Sequence, residues 1–292
     1  MGKEPEITGK KAILTMVRAY AVLIVSQLAA VLIGEMIGKF GVPDAVNSAV
    51  SGILYVVFVY FFVSLLCKKA LKVSIEFCRI TVFSVKTVWV IVALILPVII
   101  SIIYLQMPGT MVNTQMDAGE TCYTIVYAVA FYGIAAGISE ELIFRGVIMK
   151  VLEQAWNKSV AVIIPSVIFA LSHIFGAELD FMSIVQLLVA GSVVGIMFSL
   201  IVYESGRIWN SAIVHVIWNI VIVGDILRIG VSPSEYAMFN YVLKGKSFMI
   251  TGGDFGIEAS VIAIAGYIIV SVIAVLLMKK GRKAIEQIDD QT

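Results

Sequence analysis

Charged residues are scarce in this chain. Asp, Glu, Lys and Arg make up only 14% of its 292 residues, whereas apolar residues make up 60%, and the mean hydropathy is +1.01. A soluble domain of ordinary composition carries about 25% charged residues, so a soluble globular protein is excluded. The chain also lacks a basic stripe with interleaved aromatic residues, which excludes a nucleic-acid partner. We therefore expect an integral membrane protein that crosses the bilayer several times.

Cysteine and histidine are almost absent. The three cysteines, Cys67, Cys78 and Cys122, are odd in number and form no CxxC pair, so neither a disulfide framework nor a zinc knuckle is expected. The only histidines, His173 and His215, both lie inside long apolar runs. Because an ionisable group at the bilayer centre costs roughly 2.5–3.5 kcal/mol on insertion scales, we expect both to face a protein interior or a polar cavity.

Long apolar runs dominate the rest of the sequence. A membrane-crossing helix needs about 20 apolar residues, and the pattern predicts an all-α, polytopic membrane helix bundle with about eight transmembrane helices. We interpret residues 1–292 as a single integral-membrane domain whose motif core covers residues 121–228. The predicted crossings are 12–37, 47–67, 87–106, 121–147, 159–175, 182–203, 208–227 and 257–278.

Two connections stand out between these predicted helices. Residues 68–86 alternate basic and apolar side chains, which is typical either of a segment lying on or re-entering the membrane surface or of an ordinary polar loop. Residues 227–258 form the longest connection and are interpreted as a possible cap. We assign no chemistry to any residue of this second connection.

The distribution of Lys and Arg predicts the orientation. With eight crossings both termini lie on one side, and most basic residues fall on that side. The opposite side has only Lys39, Arg228, Lys244 and Lys246. Since Lys and Arg accumulate in cytoplasmic loops, both termini are predicted to be cytoplasmic. The compact chain favours a bacterial plasma membrane.

Polar side chains are concentrated on three of the predicted helices. On the fourth, Glu141 and Arg145 are four residues apart and share a helical face, whereas Glu140 points elsewhere. A buried Glu141 neutralised by Arg145 suits an organising role. Glu140 has no such neighbour and is the candidate general base. On the fifth helix His173 is the candidate donor to Glu140, and Phe169 lies one turn earlier on the same face.

The seventh predicted helix carries a further polar pair. His215 and Asn219 present two N–H groups from consecutive turns, which is typical of an oxyanion-stabilising pair. The alternative for all these polar residues is a structural role in bridging helices, where each hydrogen bond contributes only about 0.6 kcal/mol on average. Because the polar clusters include both histidines of the chain, we favour a shared functional site.

The three clusters form an ordered set of motifs. Glu140-Glu141-xxx-Arg145, Phe169-xxx-His173 and His215-xxx-Asn219 resemble the EExxxR, FxxxH and HxxxN motifs of the CPBP family. That family groups type II CAAX prenyl endopeptidases with bacteriocin-processing and bacteriocin-immunity membrane proteins, also called Abi proteins.

The resemblance implies an intramembrane endopeptidase that activates water with a glutamate and needs no metal or other cofactor. Its substrate would be a membrane-associated peptide or protein in the lipid bilayer: a leader peptide, a signalling-peptide precursor, a membrane-protein terminus or a CAAX tail. The sequence predicts no particular oligomeric state. The implied roles are general base for Glu140, water positioning for His173, oxyanion hole for His215 and Asn219, and support of the site for Glu141 and Arg145.

Two other functions are compatible with the same residues. Two histidines and a glutamate can form a three-ligand zinc site with room for water, although the chain has no HExxH motif. A transporter or a noncatalytic membrane scaffold would use the polar cluster to bind a solute or a partner. No repeated pair of interrupted helices supports a transporter.

Overall fold

The computed structural model describes residues 7–175 and 177–289, and long helices account for most of them. Residues 1–6 and 290–292, whose cytoplasmic location is predicted above, lie outside the described residues. The helices are α1 (Gly9–Gly38), α2 (Asp44–Leu71), α3 (Thr87–Leu105), α4 (Ala118–Ala155), α5 (Lys158–Ser172), α6 (Phe181–Ser205), α7 (Trp209–Val223) and α8 (Val261–Asp289).

The lengths of these helices divide them into two groups. Six, namely α1, α2, α3, α4, α6 and α8, are long and apolar enough to cross a membrane, whereas α5 and α7 are shorter apolar helices. Apolar side chains on the outer faces of α1, α2, α3 and α8 are exposed, as lipid contact requires. The prediction of an all-α polytopic bundle is confirmed, with six helices of spanning length among the described residues.

Polar side chains fix where several helices begin. The Asp117 carboxylate accepts a hydrogen bond from the Glu120 backbone N–H, and the Glu120 carboxylate accepts one from the Asp117 backbone N–H. This reciprocal capping box satisfies two backbone donors at the start of α4. Asn157 caps α5 through the Val160 N–H at 3.0 Å, and Asp180 caps α6 through the Ser183 N–H at 2.6 Å.

Helices α4 and α7 contain wide turns with π-helical hydrogen bonding, as does the end of α2 at Leu66–Leu71. In α4 these turns cover Tyr127–Ala136 and Leu142–Ile148, on either side of the α-helical stretch Gly137–Glu141. In α7 a similar turn covers Asn219–Val223. Wide turns of this kind occur frequently at functional sites, and those of α4 and α7 adjoin the polar residues of both helices.

A small sheet joins two of the connections between helices, and the helical pattern of the sequence does not predict it. Strands β1 (Gly109–Asn113), β2 (Leu227–Gly230) and β3 (Phe239–Leu243) pair in the order β1-β3-β2. Strand β3 is antiparallel to β1 and parallel to β2. The long connection before α8 thus contains ordered strands, followed by short helical turns that lead to Ile257–Ala259.

The segment between α2 and α3 packs against the bundle. Cys78 and Ile80 are buried, and the Trp209 indole N–H donates to the Thr81 carbonyl at 2.7 Å. Arg79 forms an ion pair with Glu153 of α4. These contacts attach the segment to α4 and α7 near the ends that lie far from the sheet.

Candidate active site

The polar motif residues meet in one cavity of about 320 Å³ inside the bundle. Its wall is made mainly by α4, α5, α6 and α7, with contributions from α1, from α8 and from the turn before α8. All four residues predicted to be catalytic line the cavity. Its polar lining residues include Gln27, Tyr132, Glu140, His173, His215, Asn219 and Glu258.

A glycine allows α4 and α7 to approach closely beside this cavity. A Cβ atom at Gly137 would lie 3.1 Å from the backbone nitrogen of Val216 and 3.0 Å from Cγ2 of the same residue. A side chain at position 137 would therefore require Val216 or its helix to shift by a few tenths of an ångström. Because Gly137 is one turn before Glu141 and Val216 adjoins His215, the close approach of the two helices lies beside the glutamates and the imidazole.

Glu141 and Arg145 form the expected ion pair in the protein interior. Glu141 Oε1 lies 2.9 Å from Arg145 Nη1, and the two side chains are 0% and 1% exposed. The Ser211 hydroxyl donates to Glu141 Oε2 at 2.5 Å, and Arg145 Nη2 donates to the Gly195 carbonyl at 3.3 Å. Both Glu141 oxygens are thus engaged, which suits an organising role and leaves little capacity for proton transfer.

The imidazole of His215 lies between the two glutamates. His215 Nδ1 is 3.2 Å from Glu141 Oε1, and His215 Nε2 is 3.7 Å from Glu140 Oε2. Since the ionised Glu141 carboxylate can only accept, Nδ1 carries the proton in this contact. The Nε2 side of the ring is directed toward the cavity.

Glu140 differs from its neighbour in sequence. Its side chain is 18% exposed, and it lines the cavity. Its Oε2 atom is buried and accepts no hydrogen bond from any described residue. A buried carboxylate oxygen without a donor is unusual in native proteins. The exposed part of the Glu140 side chain therefore lies at atoms other than Oε2, and through these the residue lines the cavity.

The His173 ring is fixed by its own helix. As the C-cap residue of α5, it places Nδ1 2.8 Å from the Phe169 carbonyl oxygen. Because a carbonyl only accepts, this contact selects the tautomer with a proton on Nδ1, and Nε2 of the neutral ring can then accept a proton. The Phe169 and His173 rings lie 4.7 Å apart. Within the described chain no direct hydrogen bond joins His173 to Glu140.

Asn219 is held from the opposite side of the cavity. Its side-chain nitrogen donates to the Tyr132 carbonyl at 2.9 Å, where the π-helical stretch of α4 adjoins that of α7. A carboxamide nitrogen has two N–H groups, so one remains for another acceptor. The contact therefore orients Asn219 without using its full donor capacity.

Two residues that the sequence did not indicate also belong to the site. Phe198 of α6 stacks on His215 with ring centroids 4.7 Å apart and planes inclined by 20°, and its other contact is the Arg145 guanidinium, 5.0 Å from the ring centre. Glu258, which precedes α8, lines the cavity. Its burial, together with the negative charge of Glu140, raises the pKa of Glu258 to about 7.

The site residues lie in a segment of the chain that matches the model of a known protein family. Residues 123–221 match the family model described as type II CAAX prenyl endopeptidase Rce1-like. The Rce1-like segment contains all seven motif residues named from the sequence, so the resemblance stated there is confirmed. Together with the apolar helices, the match supports a multi-pass membrane protease of the CAAX type. Comparisons with curated proteins and with solved structures give no significant match.

The zinc alternative requires three side chains that can bind one metal ion. Among the described residues, no group of three His, Cys, Asp or Glu side chains is arranged to hold a metal ion. Nδ1 of each histidine is engaged, since His173 contacts a carbonyl and His215 contacts Glu141. Contacts of this kind are equally typical of histidines that bind zinc through the other nitrogen, so the zinc alternative is decided by the chelation test described below.

Proposed function

We propose that this protein is a glutamate-dependent, metal-independent intramembrane endopeptidase that cleaves a peptide or protein at the membrane. The observation that carries the proposal is that the Glu140 side chain, whose Oε2 atom accepts no hydrogen bond from the described residues, lines one cavity with His173, His215 and Asn219. The Rce1-like match supports peptide-bond hydrolysis as the reaction.

Glu140 activates the water in the proposed mechanism. Its carboxylate takes one proton from a water molecule, and the resulting hydroxide attacks the carbonyl carbon of the scissile peptide bond. His173 Nε2 accepts a hydrogen bond from the same water and positions it for attack on the carbonyl carbon. The free pair of electrons at His173 Nε2 follows from the contact of Nδ1 with the Phe169 carbonyl.

Asn219 and His215 stabilise the negative charge that develops on the substrate oxygen. Asn219 supplies the N–H that it does not donate to Tyr132, and His215 supplies an N–H from Nε2 when its ring is protonated. The Glu141 carboxylate accepts from Nδ1 and so holds the ring with Nε2 toward the cavity. Donors placed in advance in a site of low dielectric cost no reorganisation during the reaction.

Collapse of the tetrahedral intermediate completes the reaction. The carbon–nitrogen bond breaks, and the proton held by Glu140 passes to the leaving amine nitrogen. Glu140 returns to its ionised form, so the cycle consumes one water and uses no oxidant, reductant or metal. Glu141 and Arg145 do not touch the reacting atoms in this mechanism; they position His215.

The metal-independent part of the proposal has a direct test. The full-length protein, purified in detergent and reconstituted in liposomes, is treated with a chelator, and its metal content is measured. Two substrate panels are offered, one of farnesylated CAAX peptides and one of unlipidated hydrophobic leader-type peptides, and products are identified by mass spectrometry. Cleavage by protein without stoichiometric metal supports the proposal. Activity that disappears with the metal and returns with zinc contradicts it.

The two panels also identify the substrate class. Cleavage restricted to the farnesylated panel assigns a prenylated CAAX tail, and cleavage restricted to the other assigns an unlipidated peptide. If folded wild-type protein cleaves neither panel, the endopeptidase proposal is rejected for both substrate classes.

A further inference from the structure

Among the described residues that line the catalytic cavity, Glu258 is the one carboxylate outside the three sequence motifs. It follows Ile257 in a short turn before α8, and it lines both the catalytic cavity and an adjoining open cavity of about 430 Å³. This second cavity, here called the vestibule, is bounded by the β2 strand and by the turns that precede α8. Glu258 therefore lies at the boundary between the vestibule and the catalytic cavity.

The turn that carries Glu258 is held firmly. The Tyr267 hydroxyl donates to the Glu258 carbonyl at 3.0 Å, and the Gln186 side-chain N–H donates to the Ala259 carbonyl at 3.0 Å. Tyr267 and Ala259 are buried. A side chain on such a braced turn loses little conformational freedom when it binds a ligand, which favours its use as a recognition group.

In the part of the chain that the structure describes, no Lys or Arg forms an ion pair with the Glu258 carboxylate. The only Lys or Arg among the described residues lining either cavity is Arg228, and its guanidinium is paired with Asp225 at 3.6 Å. The other acidic lining residues are Glu140, Glu178 and Asp254. Asp254 is already engaged as an acceptor from the Asp180 N–H and the Ser183 hydroxyl.

Two carboxylates thus share the catalytic cavity, and of these Glu140 has the His215 ring nearby, with Nε2 at 3.7 Å. Glu140 Oε2 is buried without a donor, and no hydrogen bond or ion pair engages the Glu258 carboxylate in the described part of the chain. A charge in such surroundings is costly unless a partner compensates it. Since no described Lys, Arg or His forms an ion pair with Glu258, we assign the compensating positive charge to a ligand.

We propose that Glu258 is a specificity-determining residue that binds a positively charged group of the peptide substrate, the ammonium of a lysine side chain or of a free N-terminus, as the peptide passes from the vestibule to Glu140. This inference rests on the proposed function in so far as the ligand is a substrate. The carboxylate accepts the N–H groups of the cation, and the unfavourable burial of its charge is relieved in the complex.

Binding of matched peptides to the full-length protein tests the inference independently of hydrolysis. The probes are alanine- and leucine-rich peptides that carry one lysine or, in its place, norleucine, which has a similar length without the ammonium. Their central amides are N-methylated so that they resist cleavage. Peptides with a free and with an acetylated N-terminus separate the two sources of positive charge. Affinities are measured in nanodiscs at about pH 8, where the Glu258 carboxyl is ionised.

A single buried ionic hydrogen bond predicts a preference of about 10- to 100-fold for the cationic peptide. Glu258→Gln should remove most of this preference, whereas Glu258→Asp should retain part of it. The matched control is Glu235→Gln, which removes the same charge from an exposed position between β2 and β3. A general loss of structure would weaken the binding of both peptides equally, so the ratio of affinities isolates recognition of the charge.

The possible results separate the two proposals. Equal affinity of the wild type for both peptides, or an unchanged preference in Glu258→Gln, overturns the inference even if the enzyme is active. If binding prefers the cationic peptide through Glu258 but the protein cleaves no unmodified peptide, the recognition site is supported and the endopeptidase proposal is rejected. A preference accompanied by a higher kcat/KM for cleavable lysine peptides supports both.

Discussion

His215 Nδ1 lies 3.2 Å from Glu141 Oε1, in a part of the bundle where the Glu141 side chain is fully buried. This contact connects the fourth helix to the seventh and fixes the imidazole with its other nitrogen toward Glu140. Glu141 also carries the ion pair with Arg145. The two adjacent glutamates therefore have different environments, one fully engaged and one whose buried Oε2 atom accepts no hydrogen bond from the described residues.

The different environments of Glu140 and Glu141 predict that the same substitution has different effects on stability at the two positions. Glu141→Gln should lower the free energy of unfolding by about 3–5 kcal/mol, because it leaves the buried Arg145 charge without its partner. Glu140→Gln should leave stability unchanged or increase it, because no described residue donates a hydrogen bond to the buried Oε2 atom of Glu140. Thermal unfolding of the two purified variants measures both effects. Equal destabilisation of the two variants would show that the assignment of roles is wrong.

Phe198 offers a second test of how His215 is positioned. Its ring contacts the His215 imidazole on one side and the Arg145 guanidinium on another. Replacement by leucine keeps an apolar side chain but removes both aromatic contacts, which together contribute on the order of 1–2 kcal/mol. We expect Phe198→Leu to lower kcat about tenfold, the rate equivalent of 1.4 kcal/mol.

The matched control for Phe198 lies on the same helix. Phe181 is 76% exposed at the beginning of α6, and Phe181→Leu should leave kcat unchanged. If Phe198→Leu also has wild-type kcat, the stacking contact has no part in positioning the imidazole.

Asn219 tests the proposed oxyanion hole. Asn219→Ala removes the N–H that would stabilise the developing negative charge, and loss of one such donor lowers kcat by about 10²–10³-fold. KM should change little, because the donor acts mainly in the transition state. The exposed Asn113→Ala on β1 is the control. An effect of Asn219→Ala confined to KM would instead assign the residue to substrate binding.

The raised pKa of Glu258 predicts a pH dependence of stability. The ordinary value of 4.5 applies in the unfolded chain, and the folded value is about 7. The folded state therefore binds the proton more tightly, so the contribution of this group to stability is largest below pH 4.5 and is lost as the pH rises through about 7.

Glu258→Gln should abolish this loss. Each pKa unit corresponds to about 1.4 kcal/mol, so the variant should be more stable than the wild type by at most about 3 kcal/mol above neutral pH. The two proteins should converge in acid. Melting temperatures measured across this pH range provide the comparison. A difference that does not vary with pH would show that Glu258 does not titrate in this way.

Local features of the fold and site were predictable from the sequence because they depend on nearby residues. Apolar runs of sufficient length predicted the helices, and the four-residue spacing predicted that Glu141 and Arg145 share a face. The small sheet was not predictable, because β1 and β3 are separated by more than a hundred residues and neither has a strong alternating pattern.

Contacts between distant helices account for the features of the site that the sequence did not indicate. His215 reaches Glu141 across 74 positions of sequence, and the close approach of the two helices at Gly137 lies beside this contact. Phe198 gave no signal because it is one of many apolar residues in α6. Glu258 gave none because its position results from packing of a turn against α6 and α8, and a lone glutamate before an apolar run has the pattern of an ordinary helix start.

The rate of peptide cleavage by Glu140→Gln, relative to the wild type, tests the central claim most directly. Both proteins are compared in chelator-treated liposomes on the same substrate, with Glu235→Gln as the control for loss of one carboxylate. Removal of a general base should lower kcat by about 10²–10⁴-fold, while the control keeps the wild-type rate. A Glu140→Gln protein that folds and cleaves at the wild-type rate would contradict the assignment of Glu140 as the group that activates water.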